Sequence, residues 1–322
     1  MTDLKRGAEL LVAARRVLVT CHLAPDGDAT GSMSALAALL REQGRAVTVY
    51  NPDPIPRALR FLPHVGRIVH SLPHDARFDL TIVLDCGDRK LLGDKFPPAE
   101  VTGPLLVLDH HASASPFGDM YACDPAAASV GVLIARLAKI LGWALSRESA
   151  PGIYTSLVAD TGSFRYANTN AEALRLAADL VSVHGVDPWA IAEQLGERAS
   201  LSKYRLLAAA LSSMTLELQG RVAVMVVTDA MVKQASATWE DTEGLVNYAR
   251  AIDGVEVGML LSPAREGGVR VSLRSKGHKV DAGATCAKLG GGGHRGAAGC
   301  RVNAILDEVR QEMLAHLAQA LA

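Results

Sequence analysis

The chain reads as an α/β protein with an N-terminal, doubly wound, mainly parallel sheet and a smaller second α/β domain. Three observations predict this. Short apolar runs alternate with helix-period segments through the first half. Histidine or aspartate clusters follow three of those runs directly, where open α/β sheets bind their ligands. Fresh strand signals begin at Arg221 after a largely helical stretch, and 322 residues exceed the roughly 250–300 at which single cores stop growing.

The first strand spans residues 17–20 and is followed by His22. A helix comes next, with Met33, Leu36, Ala37 and Leu40 on one face and Gly44 as its stop. Residues 46–50, 80–84 and 105–108 are the following strands. Helical patterns then dominate from Ser129 to about Met214. One helix runs over 149–159 and ends at Asp160, and Thr169 with Glu172 fits a capping box for the next. Residues 205–218 read as a connecting helix. Beyond it, 222–227, 255–262 and 269–275 are strands, with a helix from near Gly244 to Ile252, a glycine-rich turn and a C-terminal helix. The domains are expected at 1–187 and 220–322, joined by a helical linker over 188–219, with the active site in the cleft between them.

Composition narrows the function. With 49% hydrophobic and 21% charged residues, the chain can bury sizeable cores. A formal net charge of -1 argues against coating long nucleic acid, while leaving room for a small phosphorylated ligand held by a few local cations. Aromatics, at 4%, are too sparse for a long base-stacking platform. The five cysteines (Cys21, Cys86, Cys123, Cys286, Cys300) are odd in number and lack CxxC spacing, so a reducing cytoplasm is the expected compartment. No apolar signal-peptide core follows Met1, and no run approaches the roughly 18 apolar residues of a membrane span. No membrane partner is expected.

The chemistry is carried by four separated places: His22 with Asp26 and Asp28, then Asp85, then Asp109-His110-His111, then Asp160. In His22-Leu23-Ala24-Pro25-Asp26-Gly27-Asp28, the proline and the two-residue spacing of the acids suit a rigid turn. Any one cluster alone is an ordinary turn, helix cap or solvated pair; together they suggest one site for two divalent metals. Carboxylates with imidazole favour Mn²⁺ or a similar ion. Two such ions could clamp an in-line displacement at phosphorus. Cys21 and Cys86 adjoin proposed ligands, but neighbouring strand side chains point to opposite faces, so they read as small buried hydrophobes.

These four stretches, ending in Asp160-Thr161-Gly162-Ser163-Phe164-Arg165, resemble the motifs of the DHH phosphoesterase superfamily. The run Gly290-Gly291-Gly292-Gly293-His294-Arg295-Gly296-Ala297-Ala298-Gly299 resembles the signature of its DHHA1 substrate-binding domain. Glu243-Gly244-Leu245-Val246-Asn247-Tyr248 narrows the resemblance to the nanoRNase/pAp-phosphatase branch. The resemblance implies that His22 and Asp26 hold one metal, that Asp28, His110 and Asp160 hold the other, and that Asp85 bridges them. It further implies that Asp109 orients the histidine pair and that His111 faces the scissile phosphate. Ala24 and Cys86-Gly87 stand where other members often carry a polar residue, which bears on fine substrate preference.

Four consecutive glycines let backbone amides approach an anion closely. A flexible turn before a strand at 299–302 is the plainer reading, and the resemblance favours binding. Arg274, Ser275, Gly291, Gly292, Gly293 and His294 are therefore the candidate substrate grip, with Arg165 a further cation. His64, His70 and His74 lack ligand spacing and read as solvated. Asp229 and Asp281 look like helix starts.

The implied activity is two-metal hydroxide attack, cutting short RNA oligonucleotides to mononucleotides and 3'-phosphoadenosine-5'-phosphate (pAp) to AMP. Long nucleic acid is not an expected substrate. The nearest rival is a phosphodiesterase for cyclic or linear dinucleotides such as cyclic di-AMP and pApA, which would use the same catalytic residues. A long-strand exonuclease, an inorganic pyrophosphatase and a nucleotide-sensing protein with a relic site rank behind these. A homodimer is compatible with everything above, and no residue decides it.

Overall fold

The computed structural model describes residues 2–112, 114–264, 267–277 and 279–322. They form two compact units, Met1–Arg198 and Ala199–Ala322.

The first unit is built on five parallel strands: β1 (Arg16–Cys21), β2 (Ala46–Val49), β3 (Leu80–Leu84), β4 (Leu105–Asp109) and β5 (Met120–Cys123), in the order β2-β1-β3-β4-β5. Strands β3 and β4 are buried along their whole length, because both faces of a parallel sheet are covered. β5 has no sequence signal of its own; Met-Tyr-Ala-Cys is too short and too mixed to show a period.

The Gly27–Glu42 helix is buried from Asp28 to Leu40 rather than along one face. Its far side packs on the Ala150–Asp160 helix at a crossing so close that a Cβ on Gly31 would lie 2.5 Å from the Gly152 carbonyl oxygen. The small residues of both helices make that crossing possible, and it brings Asp28 and Asp160 to the same end of the sheet. The next helix, Ala171–Ser182, is capped by Asn170, whose side chain accepts from the Ala173 amide at 2.9 Å. The expected Thr169–Glu172 box does not form. Arg136 holds the Glu172 carboxylate instead, at 2.7 and 2.5 Å.

The second unit has strands β6 (Thr215–Glu217), β7 (Val222–Val226), β8 (Val257–Pro263), β9 (Val269–Ser275), β10 (Gly292–His294) and β11 (Ala297–Val302). They form a mixed sheet, ordered β10-β11-β9-β8-β7-β6, in which only β7 with β8 is parallel. The expected connecting helix over 205–218 is corrected: the helix is Leu201–Ser212, capped by Ser200, and 215–217 is strand β6. The Ser213 hydroxyl accepts from the Val226 amide at 3.0 Å and so ties the helix end to β7.

One face of this sheet, with Val224, Met259, Val271 and Leu273, is sealed by the C-terminal Leu306–Leu321 helix. The opposite face is covered over Ala223, Met225 and Leu260 by the Leu201–Ser212 and Val246–Arg250 helices. The rest of that face is polar.

Candidate metal centre and substrate face

β1, β3 and β4 are adjacent and parallel, so the residues after them converge at one sheet edge. His22 follows β1, Asp85 follows β3, and Asp109 closes β4 ahead of His110 and His111. Asp26 caps the Gly27–Glu42 helix and accepts from the Ala29 amide. Asp28 lies in that helix's first turn, and Asp160 is the last residue of its helix.

Among the groups of donor atoms that lie within 4.8 Å of one another, two are His22 with Asp26 and Asp85, and Asp28 with His110 and Asp160; Asp85, Asp109 and His111 form a further one beside them. His22 Nε2 stands 3.6 Å from Asp85 Oδ2 and 4.0 Å from Asp26 Oδ1. His110 Nε2 stands 3.5 Å from Asp28 Oδ2, 3.4 Å from Asp160 Oδ2 and 3.6 Å from Asp85 Oδ1. Asp85 thus turns one carboxylate oxygen to each group. Its backbone sits at φ +55°, a left-handed conformation costing about 1–2 kcal/mol in a non-glycine residue. Its amide is anchored on the Leu108 carbonyl at 2.9 Å.

The donors fit divalent cations. Asp85 Oδ1 is buried with no hydrogen-bond partner among the described residues, a costly state that a cation would relieve. His110 Nδ1 donates to the Ala127 carbonyl at 3.0 Å and His22 Nδ1 to the Leu23 carbonyl at 2.7 Å. A carbonyl only accepts, so Nδ1 carries a proton in each ring, and Nε2, which faces the carboxylates, is the nitrogen left to ligate a cation once its own proton is released. Neighbouring thiols do not compete: burial pushes Cys86 up to about 12 and Cys21 well above its ordinary value.

Without cations the cluster holds protons. Burial lowers the His22 imidazole, but Asp85 and Asp26 outweigh it and lift it to about 10. His110 rises to about 9 against the same burial, through Asp160, Asp28 and Asp85. Burial, then Asp85, pushes Asp28 up to about 7. Burial also raises Asp160, whereas the surrounding imidazoles overcome burial at Asp85 and hold it well below the usual carboxylate range.

A supporting layer has little sequence signal. Asp109 Oδ1 accepts from His111 Nδ1 at 2.7 Å, and the Tyr121 hydroxyl of β5 donates to Asp109 Oδ2. Asp109 therefore orients His111 alone, because the Ala127 carbonyl has taken the His110 ring. Asp28 accepts from Ser32 at 3.0 Å, Ser156 at 2.6 Å and the Val130 amide at 2.9 Å. Arg165 is exposed and its Nε donates to the Gly162 carbonyl at 2.7 Å. His64 is not solvated as expected; its Nε2 meets Glu148 at 2.8 Å.

In the second unit, strand alternation sorts the candidate grip. Arg270, Ser272 and Arg274 share one face of β9, opposite Ser262, Leu260 and Gly258 of β8. Arg270 and Arg274 lie across from Arg301 and Ala297 of β11, and Ala297 lies across from His294 of β10. Register alone gathers Arg270, Arg274, Arg301 and His294 on the polar face. A shallow groove is lined there by Thr242, Glu243, Ser262, Arg270, Ser272 and Arg274 among others.

Ser275 is corrected: it is buried on the opposite face, and its hydroxyl donates to the Val280 carbonyl at 2.7 Å. Gly292 lies in β10, but Gly291 has a packing reason of its own, since a Cβ there would meet the Gly299 carbonyl at 2.2 Å. Gly293 is likewise pressed against Ala297 and Ala298. The Arg-Val-Ser-Leu-Arg alternation of 270–274 was the available signal for Arg270 and Ser272.

A parallel sheet edge bearing paired imidazole–carboxylate groups, with a separate unit bearing a cationic sheet face, defines a metal-centred phosphoesterase. The chain belongs to the DHH family: residues 16–172 match the DHH family N-terminal domain and 219–322 match the DHHA1 domain. Within it, the chain is similar to the bifunctional oligoribonuclease and PAP phosphatase NrnA of Thermus thermophilus, with 34% identity over 95% of this chain and 91% of that protein. The protein of the same name from Bacillus subtilis is 28% identical over 89% of each chain. Among solved structures, an exopolyphosphatase-related protein from Bacteroides fragilis superposes with a TM-score of 0.87 at 27% identity, covering 99% of this chain and 95% of that one.

Proposed function

We propose that this phosphoesterase hydrolyses short RNA oligonucleotides to mononucleotides and pAp to AMP, using two Mn²⁺ ions. The observation that carries the reading is Asp85, whose two oxygens face separate imidazole–carboxylate groups. The names of the curated relatives supply the substrate class. We assign His22, Asp26 and Asp85 to one ion, and Asp28, His110, Asp160 and the second oxygen of Asp85 to the other. When bound, the ions supply Lewis acidity and an activated water for attack at phosphorus.

The protein's own groups do the rest. Asp109, held by Tyr121, fixes the His111 ring at Nδ1 and leaves Nε2 to meet the scissile phosphate or the leaving oxygen. Ser32, Ser156 and the Val130 amide aim Asp28. Arg270, Arg274 and His294 suit a second phosphate or a nucleotide's far end, with bidentate guanidinium contacts where geometry allows. The DHHA1 domain would then select short substrates that offer both a scissile phosphate and an anchor. Five free cysteines suit a reducing cytoplasm.

The test is a side-by-side Mn²⁺-dependent assay on pAp, on 5'-labelled RNA dimers to tetramers and on cyclic di-AMP. Release of AMP and mononucleotides with the cyclic compound untouched is expected. Preference for the cyclic dinucleotide or its linear product would replace this substrate assignment with the dinucleotide one.

A further inference from the structure

The turn between β1 and the Gly27–Glu42 helix carries His22 and Asp26, and it is held from outside. The fully buried Asn51 side chain donates from Nδ2 to the His22 carbonyl at 2.9 Å and to Cys21 Sγ at 3.1 Å. Asn51 Oδ1 accepts from the Asp53 amide at 2.9 Å, and Asp53 Oδ2 in turn accepts from the Ala24 amide at 2.8 Å. Asn51 is itself anchored, its amide donating to the Val69 carbonyl and its carbonyl accepting from His70 Nδ1 at 2.8 Å. Register explains the reach: Val49 of β2 sits opposite Val19 of β1, so continuation puts Asn51 beside Cys21 and Asp53 beside Leu23.

An Asn-x-Asp turn that bonds to itself is commonplace. What sets this one apart is its aim at residues 21, 22 and 24, directly ahead of Asp26. Ala24 stands at φ +50° with a proline after it, a backbone state that persists only where the surroundings impose it. The Asp53 bond to the Ala24 amide sits where it can impose that state. Beside it, the Leu23 amide donates to the Leu91 carbonyl at 2.8 Å.

We infer that Asn51 and Asp53 are positioning residues of this phosphoesterase, bracing the His22–Asp26 turn so that both side chains converge on Asp85. The inference rests on reading His22 and Asp26 as cation ligands. Neither Asn51 nor Asp53 meets the substrate; both act through the turn's backbone. A merely structural pair would change thermal stability and leave the affinity of the folded protein for cations unchanged.

The full chain, Asp53→Ala, Asp53→Asn and Asn51→Asp are titrated with Mn²⁺ by calorimetry and melted without metal. Asp53→Ala should melt cooperatively yet bind Mn²⁺ about ten- to a hundredfold more weakly in one step, as lost outer-shell partners usually do. Asp53→Asn keeps an oxygen for the Ala24 amide and should restore most of the affinity. Asn51→Asp turns an acceptor toward the His22 carbonyl and should weaken binding like Asp53→Ala. Wild-type affinity in folded Asp53→Ala overturns the inference, even with a lower melting point. Equal loss in Asp53→Ala and Asp53→Asn also overturns it, since charge rather than the hydrogen bond would then be acting. Should Asp53→Ala not fold, Asn51→Asp decides by the same criterion. A wild-type chain that binds no stoichiometric Mn²⁺ refutes the ligand reading and the brace together, whereas equal binding by wild type and variant refutes the brace alone.

Discussion

The Ser156 hydroxyl donates a 2.6 Å hydrogen bond to Asp28 Oδ1, both groups fully buried and 128 residues apart in sequence. The Gly31–Gly152 crossing makes this contact possible. Ser156 also accepts from the Gly131 amide at 2.9 Å. Ser156→Ala would strip Asp28 of a donor and leave a buried amide unpaired, costing about 1–3 kcal/mol of stability. Mn²⁺ affinity should fall about tenfold as Asp28 loses its aim. Thermal melts and calorimetry read the two effects separately; unchanged Mn²⁺ affinity would remove Ser156 from the site's support.

Asp85→Asn is the sharper test of the two-cation reading. Asparagine tolerates the left-handed backbone at this position, so the fold should survive. Turnover should drop by about two to three orders of magnitude, because one residue faces both groups. Asp85→Ala should abolish turnover as well, with added strain at φ +55°. Near-wild-type rates in either variant would sink the assignment.

Tyr121→Phe removes only the hydroxyl that holds Asp109. If Asp109 positions His111 for the chemical step, kcat should fall about tenfold with KM nearly unchanged. A rise in KM alone would move Tyr121 from the chemical step to substrate binding.

Arg270→Ala and Arg274→Ala should each raise KM for RNA dimers about tenfold or more, the usual worth of a charge-assisted hydrogen bond, with kcat less affected. Because the two guanidiniums share one groove, the double variant should not be additive. An unchanged KM would exclude that residue from the grip.

Cation binding should depend on pH with a definite sign. His22 at about 10, His110 at about 9 and Asp28 at about 7 all lie above their ordinary values, so neutral pH leaves protons on the site. A cation needs imidazole lone pairs and ionised carboxylates, so binding must release those protons. Affinity for Mn²⁺ should therefore rise as pH rises through neutrality. Calorimetry in buffers of different ionisation enthalpy measures the release; a pH-independent affinity with no proton release would contradict it.

Several parts of this molecule were legible in the chain itself. β3 and β4 are runs of apolar residues, broken only by Thr81 and the closing Asp109, because a doubly covered parallel strand needs them, and the residues just past each run mark the end where open α/β sheets bind ligands. The motifs around His22, Asp85, Asp109 and Asp160 were readable because each places imidazole or carboxylate groups at a fixed strand or helix end. β5 and the Asn170 cap were less visible, as neither has a period or a unique residue pattern.

Sequence by itself determined the fold class, the family and the residue types of the candidate metal centre, since these follow from local pattern and chemistry. Only tertiary structure decided which groups meet: Ser156 with Asp28, Tyr121 with Asp109, Asn51 with the His22 carbonyl, and Arg270 with Arg301 across β9 and β11. It also turned Ser275 to the buried face of the strand whose other face carries Arg274. Contacts of this kind arise from helix crossing and strand register, which are set by packing across the whole domain and leave no mark on any single stretch of chain.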